Sequence, residues 1–475
     1  MVQVLVPGAL LELEVEKLTC GGRGLGRADG RAVFVERGLP GQRVLARVDK
    51  VGKRHAEAVM VEVPRASPEQ VEPFCPHYAE CGGCDWQDLD YVAQLRWKRT
   101  IVVESLRHIG RAGGPDGAAL DALVTATAPS PLARGFRNKM EFAFSGQGGE
   151  SLQVGLRAWR DPGRVLDVRA CGLMADPAMA VLAAVRELAR AGGAGAYDPA
   201  TGRGVWRFLV LRDARRPGQA APDDAGAEAM GMQAILITGP GAEAAARAEA
   251  VAQGLLARFP GLRVVHGARR DKAAVAHAEE LVRTWGEPRL EMEVGGLRYG
   301  LSPQAFFQTN TAGAEVLFGL VEDMAGLADQ PDAEVFDLYC GVGAMALRLA
   351  RRAGRVTGFE IVEAATRDAA ANARLNGLAN CAFVAGDLRR TLADKRLPRP
   401  DVAVVDPPRA GMHPDVAARL LALAPARIVS VSCDPATFAR DAALLLPGYE
   451  LARVTPVDLF PHSHHVEIVA LLVRR

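Results

Sequence analysis

The sequence predicts an α/β protein with a C-terminal Rossmann-like domain, a small N-terminal β-barrel and a central α+β domain between them. Strands and helices alternate from about residue 297 onward, which is typical of a parallel sheet covered by helices. Short strands separated by glycine-rich turns occupy residues 11–66, as in small barrels. Strands and helices are mixed in the region between. We therefore expect domains over residues 1–66, 67–295 and 296–475.

Composition and charge are those of an ordinary globular chain. The 475 residues are 49% hydrophobic and 24% charged, and the net charge is +1, so any basic surface must be local. No apolar run reaches the length of a membrane span, and the N-terminus lacks the charged lead of a signal peptide. We expect a cytoplasmic monomer without a membrane partner. Eight cysteines in so long a cytosolic chain favour metal binding or catalysis over a disulfide scaffold.

The N-terminal region contains short predicted strands around residues 12–15, 32–35, 43–48 and 56–61. The glycine-rich stretch at 21–26 is interpreted as hairpin turns that carry Arg23 and Arg27, because no helix follows to complete a phosphate cradle. Lys and Arg number eleven against eight Asp and Glu over residues 11–66, an excess of three. Small barrels often bind nucleic acid along one face, so we expect an RNA contact here.

Three cysteines lie within ten residues at the start of the central region: Cys75, Cys81 and Cys84. Two glycines between the last two cysteines allow the backbone to fold tightly, so that several sulfur atoms can face one point. Cys171 is the candidate fourth ligand, because partner spacing is absent at the other isolated cysteines: Cys20, Cys340 and Cys381. Four thiolates fit a [4Fe–4S] cluster or structural zinc, and three-plus-one spacing favours the cluster. Unrelated reduced thiols are the alternative.

A helix is predicted over residues 90–110, with an apolar face and with basic side chains in solvent: Arg96, Lys98, Arg99 and Arg107. This helix is assigned to the central domain, and packing on the C-terminal domain is the alternative. The basic run Arg134–Lys139 contains Phe136. A solvated strand edge and an RNA contact are equally consistent with it.

The first β-α-β unit of the C-terminal domain has the pattern of a nucleotide site. Val335–Tyr339 is a predicted strand, the turn after it contains Gly341 and Gly343, and Glu360 ends the next strand. The glycines allow a cofactor to approach the backbone, and Glu360 can accept both ribose hydroxyls. With Ala346 the spacing also fits a dinucleotide cofactor, which is an alternative to be weighed.

Two later strands end in side chains that can perform chemistry. Asp401–Val405 leads into Asp406-Pro407-Pro408, and Arg427–Ser432 leads into Cys433. The Asp-Pro-Pro motif is typical of nucleic-acid methyltransferases, where it faces a planar base, and a dehydrogenase has no evident need for it. Because ligands bind where the parallel strands of open α/β sheets end, a thiol and a carboxylate would share one crevice. A small core cysteine is the alternative interpretation of Cys433.

The last predicted strand, His464–Val473, begins with polar and charged side chains. If this strand is antiparallel to its neighbours, its start lies at the same edge as the end of the Cys433 strand. Glu467 would then reach the crevice and is a candidate general base. The alternative is that Glu467 is a charged residue at the start of the strand without a catalytic role.

Several short segments together resemble the RNA uracil-5-methyltransferase family of bacteria, in the subgroup with an N-terminal TRAM domain and a [4Fe–4S] cluster. The match covers nearly the whole chain. These segments carry it: Pro40-Gly41, Cys75, Cys81–Cys84, Ser302-Pro303, Phe306–Asn310, Asp337–Gly343, Asp406–Arg409, Ser432–Pro435 and His465–Glu467. The resemblance implies a Rossmann-like S-adenosylmethionine-dependent methyltransferase domain, an OB-like TRAM barrel and a central α+β iron–sulfur domain.

The resemblance also implies roles for individual residues. Cys433 would be the nucleophile, Glu467 the base, and Phe306 would stack on a base of the RNA. S-adenosylmethionine would be bound by four residues: Gln308, Tyr339, Glu360 and Asp406. In the family an Asn often follows the second glycine of the first turn, and Ala344 stands there in this chain, which puts one hydrogen bond to the cofactor in question.

Methylation at C5 of uridine fits these residue types. C5 of uracil is a poor nucleophile, and a thiolate that adds to C6 turns C5 into an enolate carbon that can attack a methyl sulfonium. A base must then remove the C5 proton before the thiolate leaves. The target uridine must be unstacked, which requires aromatic and basic surfaces. The barrel favours 23S rRNA as substrate, and tRNA is the alternative.

Two other functions remain as alternatives. An RNA cytosine-5-methyltransferase would also use a cysteine, but such enzymes generally carry a second cysteine at the Pro-Pro motif, where this chain has Asp406-Pro407-Pro408. A non-enzymatic iron–sulfur RNA-binding protein would have no use for an intact Cys433, Glu467 and Glu360.

Overall fold

The computed structural model describes residues 5–110, 118–214 and 231–475. The chain forms two compact units. The first contains Met1–Phe74, Cys84–Ser130 and Val405–Arg475, and the second contains Cys75–Gly83 and Pro131–Val404. Within the described residues, no helix combines the length and the apolar character that a membrane crossing requires. The predicted domain boundaries at residues 66 and 295 stay predictions.

A closed β-barrel begins the first unit. Its strands, taken from the described residues, are β1 (Leu10–Leu18), β2 (Gly24–Ala28), β3 (Arg31–Glu36), β4 (Arg43–Val51) and β5 (His55–Arg65). Around the barrel they follow the order β1-β2-β3-β5-β4. Alternate side chains point inward, so that small apolar residues such as Val15, Val33 and Val44 fill the interior.

Part of the glycine-rich stretch differs from the prediction of hairpin turns. Gly24–Ala28 is strand β2, so Arg27 lies within a strand and Arg23 immediately precedes it. A Cβ atom on Gly26 would lie 2.3 Å from Leu13 Cδ1 and 2.4 Å from the Glu14 carbonyl oxygen. Gly26 therefore allows β1 and β2 to approach each other closely. The prediction of hairpin turns did not include this role.

After the barrel the first unit continues with helices α1 (Tyr91–His108) and α2 (Ala118–Leu123). The carboxylate of Asp90 caps α1, accepting the backbone N–H of Val92 at 2.9 Å. Lys98, predicted to lie in solvent, is instead fully buried and donates to Asp458 at 2.5 Å. The prediction for Lys98 is wrong because periodicity within one helix does not reveal an acidic partner 360 residues away.

The second unit contains a mainly antiparallel sheet. The described residues contribute the strands β6 (Lys139–Ser145), β7 (Gln153–Ala158), β8 (Asp161–Leu166), β9 (Trp206–Asp213), β10 (Met232–Thr238), β11 (Arg263–Ala268) and β12 (Glu280–Trp285). Their order is β12-β11-β10-β9-β6-β7-β8. Strands β10 and β11 run parallel. Helices α3 (Asp176–Ala191) and α4 (Ala242–Arg258) pack against each other beside this sheet.

A hairpin, β13 (Leu290–Val294) and β14 (Leu297–Leu301), leads into the Rossmann-like part of the second unit. There the strands follow the order β17-β16-β15-β18, with β15, β16 and β17 parallel. The strands are β15 (Glu334–Leu338), β16 (Arg355–Glu360), β17 (Cys381–Ala385) and β18 (Val402–Val405). The helices are α5 (Thr311–Ala325), α6 (Ala344–Ala350), α7 (Glu363–Leu375) and α8 (Leu388–Thr391).

The C-terminal segment of the first unit carries strands in the order β19-β21-β20. Its elements are α9 (Pro414–Leu423), β19 (Arg427–Ser432), α10 (Pro435–Leu445), β20 (Tyr449–Val457) and β21 (Glu467–Arg474). Strand β21 is antiparallel to both of its neighbours. Helix α1 packs against α10, so the helix predicted over residues 90–110 contacts this segment.

Candidate active site

Cys433 lies in the short turn between β19 and α10. Strand β19 is mostly buried, and Asp434 then ends the extended chain and caps α10 by accepting the backbone N–H of Thr437 at 2.7 Å. This strand–turn–helix arrangement holds the cysteine at the edge of the strands. Its side chain is half-buried and is not enclosed in the core.

Glu467 begins β21 at the same edge. Ser432 is paired with Ile468 in antiparallel register, so Cys433 follows the last pair on one strand and Glu467 precedes it on the other. Glu467 is only 5% exposed. Burial and, to a lesser extent, the negative charge of Asp406 raise the pKa of its carboxyl group to about 8, and Arg409 opposes the shift. A carboxyl group with this pKa can exchange a proton near neutral pH, as a general base must.

Asp406 and Arg409 complete the charged surroundings of the thiol. Burial raises the pKa of Asp406 to about 7. Burial and the charge of Glu467 raise the pKa of the Cys433 thiol to about 11, and the nearby guanidinium of Arg409 opposes this shift. The nucleophilic form of a cysteine is the thiolate. The Arg409 guanidinium is therefore the group here that favours ionisation of the thiol.

Sequence reasoning assigned no role to Arg409 or to Asp85, and it considered His464 and His465 only as the next candidates for the base after Glu467. Arg409 Nη2 lies 3.2 Å from His465 Nδ1, and the His465 and His464 rings have centroids 4.2 Å apart. His464 Nδ1 lies 2.5 Å from Asp85 Oδ2. Adjacent histidines just before a candidate base are a signal that could have identified this group. Asp85 carries no such signal, because it is 379 residues from His464 in sequence.

The loop between β20 and β21, which leads into Glu467, is anchored by helix α1. Lys98 donates to Asp458 and also to the Phe460 carbonyl oxygen at 3.1 Å. The fully buried Gln94 accepts the backbone N–H of His462 at 2.8 Å. A buried ion pair is stable only when both partners are held in place. The contacts of Lys98 and Gln94 therefore also hold the loop in place.

In the second unit, Glu360 lies at the end of β16, where the ribose of a nucleotide is expected. Its two carboxylate oxygens accept the backbone N–H groups of Gly341 at 3.1 Å and of Val362 at 2.8 Å. These bonds orient the carboxylate in the free protein. Tyr339, after β15, has φ of 64°, a left-handed conformation that is uncommon for a bulky residue and marks a constrained turn.

The loop between β14 and α5 carries Phe306 and Gln308. Phe306 is 68% exposed, so its ring is available to a partner. The Gln308 carbonyl oxygen accepts from Asn138 Nδ2 at 2.9 Å, and the Ala305 carbonyl oxygen accepts from Arg212 Nη2 at 2.5 Å. Asn138 belongs to the predicted basic run. It is buried, and its side chain holds this loop in place.

The predicted metal ligands are divided between the two units. The second unit contains three of them, Cys75, Cys81 and Cys171, and the first unit contains Cys84. Cys81 Sγ accepts the backbone N–H of Gly83 at 3.4 Å. Cys84 Sγ accepts from Gln87 Nε2 at 3.2 Å. Hydrogen bonds to sulfur are a feature of iron–sulfur ligation, so these two residues fit the role.

Cys171 is half-buried in the same unit as Cys75. Burial raises the pKa of the Cys171 thiol, backbone N–H groups lower it, and the nearby Cys75 raises it. Within residues 5–110, 118–214 and 231–475, however, no group of three or more His, Cys, Asp or Glu side chains is arranged to hold a metal ion. The structure therefore does not show the predicted cluster.

Comparison with known proteins identifies related sequences over nearly the whole chain. Residues 247–475 match the family model of tRNA (uracil-5-)-methyltransferases, and residues 6–61 match the TRAM domain. An uncharacterized RNA methyltransferase of Nitratidesulfovibrio vulgaris is 45% identical over 471 residues, which cover 98% of this chain and 96% of that protein. An uncharacterized RNA methyltransferase of Geobacter sulfurreducens is 36% identical over 472 residues, with coverages of 98% and 90%.

A solved structure is similar over the full length. The tRNA (uracil-54, C5)-methyltransferase of Pyrococcus abyssi, in complex with S-adenosyl-L-homocysteine, superimposes with a TM-score of 0.75 and 26% identity. The match covers 97% of this chain and 99% of that one. The predicted combination of a methyltransferase fold and an N-terminal TRAM domain is confirmed.

Proposed function

The chain belongs to the tRNA (uracil-5-)-methyltransferase family and is an S-adenosylmethionine-dependent RNA methyltransferase, and we propose that it methylates C5 of a uridine through a covalent adduct on Cys433. The observation that carries this proposal is the position of Cys433 and Glu467 at one edge of the paired strands β19 and β21. The reaction requires a nucleophile and a base within reach of the same pyrimidine ring.

In the first step, the Cys433 thiolate adds to C6 of the uridine, and the electrons of the C5–C6 double bond move onto the O4 oxygen. The resulting enolate has a nucleophilic C5, which attacks the methyl group of S-adenosylmethionine. The methyl–sulfur bond breaks and S-adenosylhomocysteine leaves. Arg409 contributes to this step by stabilising the thiolate form of the nucleophile, which burial and Glu467 disfavour.

In the second step, Glu467 removes the proton from C5. The electrons of that C–H bond re-form the C5–C6 double bond, and the thiolate of Cys433 is expelled. Because burial raises the pKa of Glu467 to about 8, its carboxylate holds a proton more strongly than an exposed carboxylate does. A stronger base is what removal of a carbon-bound proton requires.

The donor is proposed to bind through Gln308, Tyr339, Glu360 and Asp406. Glu360 supports this assignment, because its oriented carboxylate stands at the end of β16, the usual position of a ribose-binding acid. Phe306 is proposed to stack on an RNA base. Its exposed ring on a loop held by Asn138 and Arg212 supports that role.

Two RNA classes are candidates for the substrate. We predict 23S rRNA from the TRAM-like barrel at the N-terminus. The alternative, tRNA, is supported by the likeness to the Pyrococcus abyssi enzyme, which acts on uracil-54 of tRNA. Cytosine is disfavoured as the target base, because no cysteine stands at Asp406-Pro407-Pro408.

The proposal is tested with purified protein, labelled S-adenosylmethionine and separate transcripts of 23S rRNA and tRNA. We expect 5-methyluridine in one of the two RNAs, and mapping of 5-methyluridine in RNA from a strain lacking the gene should show the same site missing. Methylation of cytosine, or 5-methyluridine formation by Cys433→Ser, would contradict the proposed reaction.

The iron–sulfur cluster remains a separate proposal, with Cys75, Cys81, Cys84 and Cys171 as ligands. Their three-plus-one spacing and the N–H donors to Cys81 and Cys84 support it. Protein purified without oxygen should be brown and should contain about four irons per chain. Stoichiometric zinc, or protein that binds neither metal, would contradict the cluster, and no step of the proposed reaction depends on it.

A further inference from the structure

Arg409 needs an anchor to act on the thiol. Its side chain is exposed, and an unanchored arginine side chain occupies many rotamers, so fixing it costs conformational entropy. The backbone carbonyl of Arg409 accepts from Thr437 Oγ1 at 3.2 Å, which fixes the main chain. The guanidinium has its own contact, with His465 Nδ1 at 3.2 Å.

The direction of that contact follows from the donor groups. A guanidinium can only donate hydrogen bonds, so His465 Nδ1 must accept and the His465 ring must be neutral. Burial, together with the nearby His464 and Arg409, lowers the pKa of His465 to about 4. A neutral imidazole with an unprotonated Nδ1 is therefore the state expected at neutral pH.

His465 is in turn supported by His464 and Asp85. The two rings are in contact, with an interplanar angle of 41°. His464 Nδ1 donates to the Asp85 carboxylate, and the backbone N–H of Asp85 donates to the His462 carbonyl oxygen at 3.0 Å. On the other side of His464, a Cβ on Gly22 would lie 2.8 Å from His464 Cβ, so a turn of the barrel closes over this residue.

We propose that Asp85, His464 and His465 form a positioning chain that holds the guanidinium of Arg409 against the thiol of Cys433. This inference rests on the proposed function, in which Cys433 is the nucleophile. The three residues act through Arg409, which is the cation of the group that lies near the thiol. Their effect is to keep a positive charge at the sulfur, so that more of the cysteine is in the thiolate form before RNA binds.

The decisive experiment compares two substitutions of His465. His465→Phe keeps an aromatic ring but removes the acceptor, whereas His465→Asn places an oxygen near the position of Nδ1 and removes the ring. The rate of Cys433 alkylation by iodoacetamide is followed by peptide mass spectrometry at pH 7.5, without RNA or methyl donor. His108→Phe, at the exposed end of α1, is the matched control.

We expect His465→Phe to slow Cys433 alkylation about tenfold and to lower kcat, with an unchanged KM for S-adenosylmethionine. His465→Asn should recover most of the alkylation rate, and His108→Phe should equal the wild type. Should His465→Phe fail to fold, Asp85→Ala supplies the same comparison, with a several-fold slower alkylation expected. Circular dichroism melting checks each variant.

Equal alkylation rates in folded His465→Phe and the control would overturn the positioning chain. A folded His465→Asn that is as slow as His465→Phe would also overturn it, because the acceptor would then be irrelevant. The alkylation assay uses neither RNA nor methyl donor. Its outcome is therefore separate from failure of the proposed function, which would appear as 5-methyluridine formation by Cys433→Ser.

Discussion

Cys433 and Glu467 flank the final pair of β19 and β21, in which Ser432 lies opposite Ile468. Strand pairing thereby brings together a thiol and a buried carboxyl group that are 34 residues apart in sequence. In the proposed reaction these groups act at different times, the thiol before methyl transfer and the carboxylate after it. Their contributions can therefore be measured separately.

The release of methylated RNA from the protein should depend on pH through Glu467. A base acts in its unprotonated form, and burial raises the pKa of Glu467 to about 8, so at pH 7 only about a tenth of it is carboxylate. Release should accelerate roughly tenfold per unit from pH 6 to 7 and level off above pH 8. Single-turnover reactions sampled on denaturing gels measure this rate.

The rate at which Cys433 forms the adduct should also rise with pH, but over a higher pH range, because the pKa of Cys433 is raised to about 11. Formation of the adduct should therefore keep accelerating between pH 8 and 10, where release has levelled off. A release rate that is constant from pH 6 to 9 would exclude Glu467 as the base with the raised pKa.

Glu360→Ala should weaken S-adenosylmethionine binding by at least tenfold. Charge-assisted hydrogen bonds to the ribose are worth roughly 1.5–3 kcal/mol each, and the substitution removes the carboxylate that Gly341 and Val362 orient. Isothermal titration calorimetry measures the affinity. Glu363→Ala, an exposed glutamate at the start of α7, is the control and should bind normally. Equal affinities in the two variants would reject the ribose assignment.

Phe306→Ala should raise the KM for RNA and leave the affinity for S-adenosylmethionine unchanged. Stacking of a base on an aromatic ring is worth roughly 1–3 kcal/mol, which corresponds to a change of about 5- to 150-fold. Phe306→Trp should retain most of the activity because it keeps a stacking surface. Val282→Ala, another exposed apolar position, serves as the control. An unchanged KM in Phe306→Ala would show that the ring does not contact the substrate.

Removing Arg23 and Arg27 should weaken RNA binding and flatten its dependence on salt. For each phosphate that an arginine no longer neutralises, the slope of log affinity against log salt should decrease by about one. Arg23 also lies over the Phe34 ring at 4.8 Å, so folding of the barrel must be checked by melting. Arg396→Ala, which removes an exposed cation outside the barrel, is the control. A double variant with the salt slope of that control would exclude phosphate binding by these arginines.

Local pattern was sufficient to predict much of the fold. The short strands of the barrel and the helix predicted over residues 90–110 depend on patterns among neighbouring residues, and both are present in the structure. The predicted antiparallel terminal strand is also present. The iron–sulfur cluster is not shown, and iron and zinc content of the purified protein will decide it.

What the sequence could not predict are contacts between distant segments. Burial of Lys98 depends on Asp458, and the anchoring of His464 depends on Asp85, each pair separated by more than 350 residues. Such pairs leave no periodic signal in either segment. Gly26 was misinterpreted for a related reason, since its role is set by Leu13 on the neighbouring strand and not by its own turn propensity.

The stage at which the reaction stops in Glu467→Gln tests the order of the two proposed steps. This variant keeps the Cys433 nucleophile and the methyl donor, so it should methylate uridine and then stall with the RNA attached to Cys433. With labelled S-adenosylmethionine, a denaturing gel should show a shifted protein–RNA band for Glu467→Gln and no such band for Cys433→Ala. Normal turnover by Glu467→Gln would move the base elsewhere, and 5-methyluridine made by Cys433→Ala would contradict the covalent mechanism altogether.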